Sequence, residues 1–261
     1  MRKLFVLALL ASLVFPPAPA LAAEPRDARL PGGVFTTVLP PAAGTKTAAV
    51  RPFRLDRALV SNVDYARFVR SHSEWQREHV ARLFADESYL GHWRGSAEPG
   101  EAIARQPVTQ VSWFAASAYC AARGARLPRW YEWEFAAAAS ETSPDARADA
   151  TWRQKILDWY SKSARGSLPD AGTSLPNYYG IRDLHGVAWE WVEDSGGMLV
   201  SEDSRGQGEG GNRFCGAGAT SFEEKENYAM LMRIAMLSSM KASYTSGSMS
   251  FRCATDVEPR K

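Results

Sequence analysis

Three cysteines, Cys120, Cys215 and Cys253, are the chain's entire stock of thiols, and His72, His79, His92 and His185 its entire stock of imidazoles. A thiolate can attack a substrate, hold a soft metal or pair with a second thiol. With three present, three pairings are open and one cysteine is always left over. The histidines offer less. His72 and His79 stand two helical turns apart and no His-x-x-x-His occurs, so they read as solvated or singly bonded groups, not as a metal triad. Carboxylates gather in "WEWVED", where Glu190, Glu193 and Asp194 could serve as acid or base. The glycine cluster "RGQGEGGN" has no Gly-Lys-Ser/Thr and no strand-to-helix setting, so it reads as a turn and not as a phosphate cradle.

Which chemistry these groups perform depends on compartment. The first stretch, "MRKLFVLALLASLVFPPAPALAAEP", has a basic start, a short apolar run and a small-residue end. That is the layout of a secretory signal over 1–23, with an apolar run too short to cross a bilayer. Loss of Arg2 and Lys3 would bring the 31 basic residues to 29, equal to the 29 acidic ones. Such a balance gives no electrostatic case for nucleic acid or an anionic membrane. The expected location is the periplasm, where two of three cysteines would pair.

The positioning elements follow from pattern. Residues 24–50, rich in Pro, Ala, Gly and Thr, read as an extended lead-in with one short strand in "LPGGVFTTVLPP". A single domain is expected over 51–261. In it "FRLDRALVSNVDYARFVRSH" gives strand, turn and helix, with Ser61 or Asn62 as cap and Val63, Ala66, Phe68 and Val69 on the inner face. Val108 and Val111 suit a short strand, Ser112 caps a helix over Trp113–Arg123, and Gly124 stops it. A second helix follows Pro128, a short one lies near Trp152–Lys162, and Ala188–Val192 reads as a buried strand or bend. Near the end, Tyr228, Leu231, Met232, Ala235 and Met236 fall at i, i+3, i+4, i+7 and i+8. This spacing predicts a helix burying that face, its methionines serving as core and not as a copper relay.

Three blocks together resemble the formylglycine-generating enzyme (sulfatase-modifying factor) family: "VSWFAASAYCAARGARLPRWYEWEFAAAA", "NYYGIRDLHGVAWEWVED" and "SFRCATD", with "PGGVF" and "SNVDYARFV" matching its opening. The resemblance implies a single-domain α+β fold, distantly like C-type lectins, with much irregular chain. It also implies a disulfide between the cysteine of Ala-Tyr-Cys and that of Phe-Arg-Cys-Ala, here Cys120 and Cys253. Active members hold copper with two closely spaced thiolates before the final Arg-Cys-Ala. Here positions 216 to 252 contain no cysteine, which leaves Cys215 alone. Iron-dependent relatives need three histidines, for which this chain has no matching set. Family calcium binding would use Gly186, Ala188 and Glu190, with Val187 in place of the usual asparagine; a second calcium site is weakened by Ala150.

The expected function is therefore an exported, non-catalytic accessory or regulatory protein with a periplasmic or outer-membrane-associated protein partner. Relatives of this kind regulate type VI secretion or accompany a periplasmic enzyme. The alternative is an atypical oxidoreductase of the siderophore-chromophore-maturation kind, with Glu190, Glu193 or Cys215 as fallback catalytic groups. A third reading, a glycan-binding module, lacks the Glu-Pro-Asn or Gln-Pro-Asp calcium-sugar motif.

Overall fold

The computed structural model describes residues 24–37, 39, 41, 45–161, 167–195 and 228–257. Its central sheet is built from β1 (Asp27–Leu30), β4 (Phe53–Asp56) and β7 (Ala254–Asp256), in the order β1-β4-β7 with both pairings antiparallel. Phe53 and Leu55 on the middle strand are fully buried, as is Leu30 opposite Phe53. The 24–50 segment is thus not a lead-in outside the domain. Besides β1 it holds β2 (Gly33–Thr36) and β3 (Thr47–Val50), a hairpin that rests on the helix Trp130–Ala137. Alternation in "DARL" and "TAAV" is short enough to be hidden by the Pro and Gly around it, yet each strand buries every second residue or nearly so.

Helix α1 (Asn62–Ser71) starts where Ser61 accepts from the Asp64 N–H and donates to its carboxylate at 2.8 Å. It buries Tyr65, Ala66, Phe68 and Val69. Helix α2 (Trp113–Ala122) is capped by the Ser112 hydroxyl, which accepts from the Ala115 N–H at 3.1 Å. It stops at Gly124, whose φ of +68° lets the Ala125 N–H turn back to the Cys120 carbonyl at 2.9 Å. Helix α3 (Trp130–Ala137) begins with the Glu132 carboxylate accepting from the Arg129 N–H, and α4 spans Ala150–Ser161. The short strand expected over Val108–Val111 is absent. Val108 does bond to the Val60 carbonyl, but Gln110 adopts φ +53°, which turns the chain before a ladder can form.

Two-residue strands β5 (Trp189–Glu190) and β6 (Met249–Ser250) pair in parallel, Glu190 opposite Ser250. Between them in sequence lies α5 (Tyr228–Ser239). The helix stands where the pattern puts it, but its face is turned. Met230, Arg233, Ile234 and Leu237 are buried, while Met232 is 43% exposed and Ala235 faces solvent. An apolar count excludes Arg233 from a core face, and so selects the wrong side of the helix. Arg233 is nevertheless inside, because its guanidinium donates to the Glu190 carbonyl at 2.7 Å and lies 3.5 Å from the centre of the Trp133 ring. Replacing Ile234 with Ala is therefore expected to cost about 2–4 kcal/mol, against less than about 0.5 for Met232→Ala, in urea unfolding.

Candidate functional site

Three of the groups that sequence reasoning singles out, Cys120, Glu190 and Cys253, meet at the last described stretch of the chain. Cys253 is bonded to Cys120 of α2 across a sequence separation of 133, with the two Cα atoms 5.5 Å apart. The preceding residue, Arg252, is fully buried, and so is Glu190. Arg252 Nε donates to Glu190 Oε2 at 2.7 Å and a terminal nitrogen to Oε1 at 3.0 Å. The remaining guanidinium donors reach the carbonyls of Asp56 at 3.2 Å and Arg182 at 2.9 Å. One side chain thus ties the Trp-Glu-Trp block, the end of β4 and the loop before Asp183 to the C-terminal strand. Phe251 and Ala254 on either side fill the core.

This arrangement decides what Glu190 can do. Both of its oxygens are occupied by one guanidinium in the dry interior, so the carboxylate is a structural counter-charge and is closed to substrate. It is closed to a cation for the same reason. Gly186, Ala188 and Glu190 do not fit a calcium ion, since the only side-chain ligand of the three is committed to Arg252, and Ala150 merely opens α4. Among the described residues no group of three or more His, Cys, Asp or Glu could hold a metal. Glu193 lies at the surface, 3.2 Å from Arg129, and Asp194 accepts from the Trp130 N–H at 2.8 Å. Cys215 is outside the described residues.

Each histidine has a local partner of its own. His72 and His79 meet the carbonyls of Phe68 and Ser73, and His92 meets Gln110. His185 sits between Trp133 and Trp152, its Nε2 donating to the Ala137 carbonyl at 2.9 Å. Burial pushes its pKa down to about 4. Arg233 is a second charged group in this region that the sequence pattern does not point out; burial lowers its pKa to about 10, and it stays a cation at neutral pH. Burial also raises the neighbouring Tyr160 hydroxyl to about 12. Neither is poised to exchange a proton near pH 7.

What the fold and site define is a one-domain α+β scaffold with long irregular connections, closed by a buried Arg between a core Phe and a disulfide Cys. The chain belongs to the sulfatase-modifying factor family: the family model "Sulfatase-modifying factor enzyme 1-like domain" matches residues 14–257. It is 29% identical to the formylglycine-generating enzyme of Streptomyces coelicolor over 303 residues, covering 93% of this chain and 96% of that one. It is 30% identical to the inactive C-alpha-formylglycine-generating enzyme 2 of Mus musculus over 215 residues, 66% and 69% of the two chains. Among solved structures, that of PvdO from Pseudomonas aeruginosa superimposes with a TM-score of 0.51 at 16% identity, covering 88% of this chain and 94% of that one. That likeness is one of fold.

Three outcomes are expected. Glu190→Gln should cost about 3–5 kcal/mol in denaturant unfolding, because it leaves the Arg252 charge buried and unpaired, whereas Glu193→Gln should cost under about 1 kcal/mol. The melting temperature should be the same in excess EDTA as in excess calcium. Because the unfolded His185 takes up a proton near pH 6.5 and the folded one only near pH 4, stability should fall as pH drops through that window. Urea midpoints at several pH values check this, and His185→Phe should flatten the slope.

Proposed function

We propose that this chain is an exported, non-catalytic member of its family that works by binding another protein of the periplasm or outer membrane. The observation that carries the reading is the cysteine inventory. Of three thiols, Cys120 and Cys253 are joined to one another, and one remaining thiol, Cys215, cannot supply a two-thiolate copper centre. The other residues available for chemistry are spent on structure: Glu190 on Arg252, and each histidine on a neighbouring carbonyl or amide. Similarity to a mammalian protein named as inactive agrees with loss of the reaction on a retained scaffold. The N-terminal pattern and the Cys120–Cys253 bond support an oxidising compartment. A regulator of secretion, or a companion of a periplasmic enzyme, fits this description.

The test has two arms. Purified protein given copper(I), oxygen and a cysteine peptide of the sulfatase type should leave the peptide's mass unchanged over hours, while an active formylglycine-generating enzyme converts it. Crosslinking in intact cells should recover one periplasmic or outer-membrane protein in stoichiometric amount. Conversion of the peptide, or a chain that remains in the cytoplasm, would refute the proposal.

A further inference from the structure

A second feature is independent of the accessory reading. Between the segment that follows α3, helix α4 and the loop 174–185 lies a cleft of about 280 Å³. Its floor is apolar: Ile156, Ile181 and Leu184 are buried there, and Trp152 forms one wall with its ring edge-to-face with His185. At the mouth stands Leu175, 77% exposed, a large apolar side chain that no core contact explains. Most polar groups deeper in the lining are already used, His185 Nδ1 being an exception. Asp183 accepts from the Gly172 and Ser174 N–H groups, and Asn177 accepts from Tyr179 and Ile181 while donating to Ala136.

Two charged groups on the lining are not used in this way. Lys155 of α4 and Glu141 after α3 bond at 2.7 Å to each other, with side chains 66% and 41% exposed. An exposed pair of this kind is worth little, so exchanging it for ligand charges is nearly free of cost. The Lys155 ammonium beside it holds the Glu141 carboxyl below its ordinary range. An apolar slot with one cation and one anion at its opening is complementary to a molecule with an apolar body and a zwitterionic head.

We infer that this cleft binds a free apolar or aromatic α-amino acid, the side chain lying on Ile156, Ile181 and Leu184 beside Trp152, the carboxylate at Lys155 and the ammonium at Glu141. The volume is enough for one side chain of the size of leucine or phenylalanine. Neither Glu190 nor Arg252 lines the cleft, although Arg252 holds the Arg182 carbonyl of the loop that forms one side of it.

Nuclear magnetic resonance titration of the full chain with L-phenylalanine tests this. Saturable shifts are expected at the Trp152 indole and at Ile181 and Leu184. Phenethylamine, which lacks the carboxylate, and 3-phenylpropionate, which lacks the ammonium, should each bind at least about threefold more weakly. Lys155→Gln should abolish the preference for phenylalanine over phenethylamine, and Glu141→Gln the preference over 3-phenylpropionate. Both changes are on exposed side chains and leave the fold intact. Leu175→Asp should weaken all three ligands. Absence of saturable shifts at the cleft would overturn the inference, and so would equal affinity of the three molecules for the unmodified protein, which would mean apolar partition only.

Discussion

The bidentate contact between Arg252 and Glu190 is the constraint on which the rest of the molecule depends. Two ions taken fully out of water are costly unless they meet each other in good geometry and their remaining donors are satisfied. Here the carboxylate fills two donors and the carbonyls of Asp56 and Arg182 fill others. To bring these groups together the chain must place β4, β5 and the C-terminal strand at fixed distances. The disulfide then locks the next residue, and the Cys253 N–H bonds the Asp56 carboxylate, which Arg123 of α2's end also grips. Three successive residues therefore do three different jobs: Phe251 fills, Arg252 pairs and Cys253 fastens. The exchange is that the same carboxylate cannot be a base or a ligand, so stability of the scaffold and reactivity at Glu190 exclude each other.

A second buried cation, Arg233, shows how the interior tolerates charge with, among the described residues, a ring face and a peptide carbonyl as its direct contacts and the Glu190 charge only nearby. It rests on the face of Trp133 and gives one hydrogen to the Glu190 carbonyl. The electrons of an indole face and the oxygen of a peptide group replace water only in part, which is why its proton is held less firmly than on a free arginine. The same residue sets the rotation of α5, and with it which methionines meet solvent.

Much of this was legible in the sequence and some was not, for identifiable reasons. Helix starts were readable because a cap is a local device: Ser61 and Ser112 each need only an N–H three residues on. Family membership was readable because Phe-Arg-Cys and Trp-Glu-Trp keep their spacing. The face of α5 was not, since hydrophobic periodicity has no means of scoring an arginine held by an aromatic ring. The strand in "LPGGVFTTVLPP" was readable and stands as β2, but β1 and the hairpin partner β3 were not, because four-residue strands carry too little alternation to stand out from the prolines and glycines around them. The cleft at Lys155 and Glu141 joins residues from three segments, and only the folded chain puts them side by side.

The order of strands in the central sheet has a consequence for synthesis. The middle strand, Phe53–Asp56, is flanked on one side by Asp27–Leu30 and on the other by Ala254–Asp256, so neighbours in space are among the first and the latest described residues to leave the ribosome. No partial chain can complete that sheet, and Arg252 arrives only at the end to neutralise Glu190. Until then Leu55 lacks one of its flanking strands and the Glu190 carboxylate has no reason to leave water. The nascent protein is thereby kept open until its translation is nearly finished, and the bond between Cys120 and Cys253 can close only after almost all the rest of the described chain has been made.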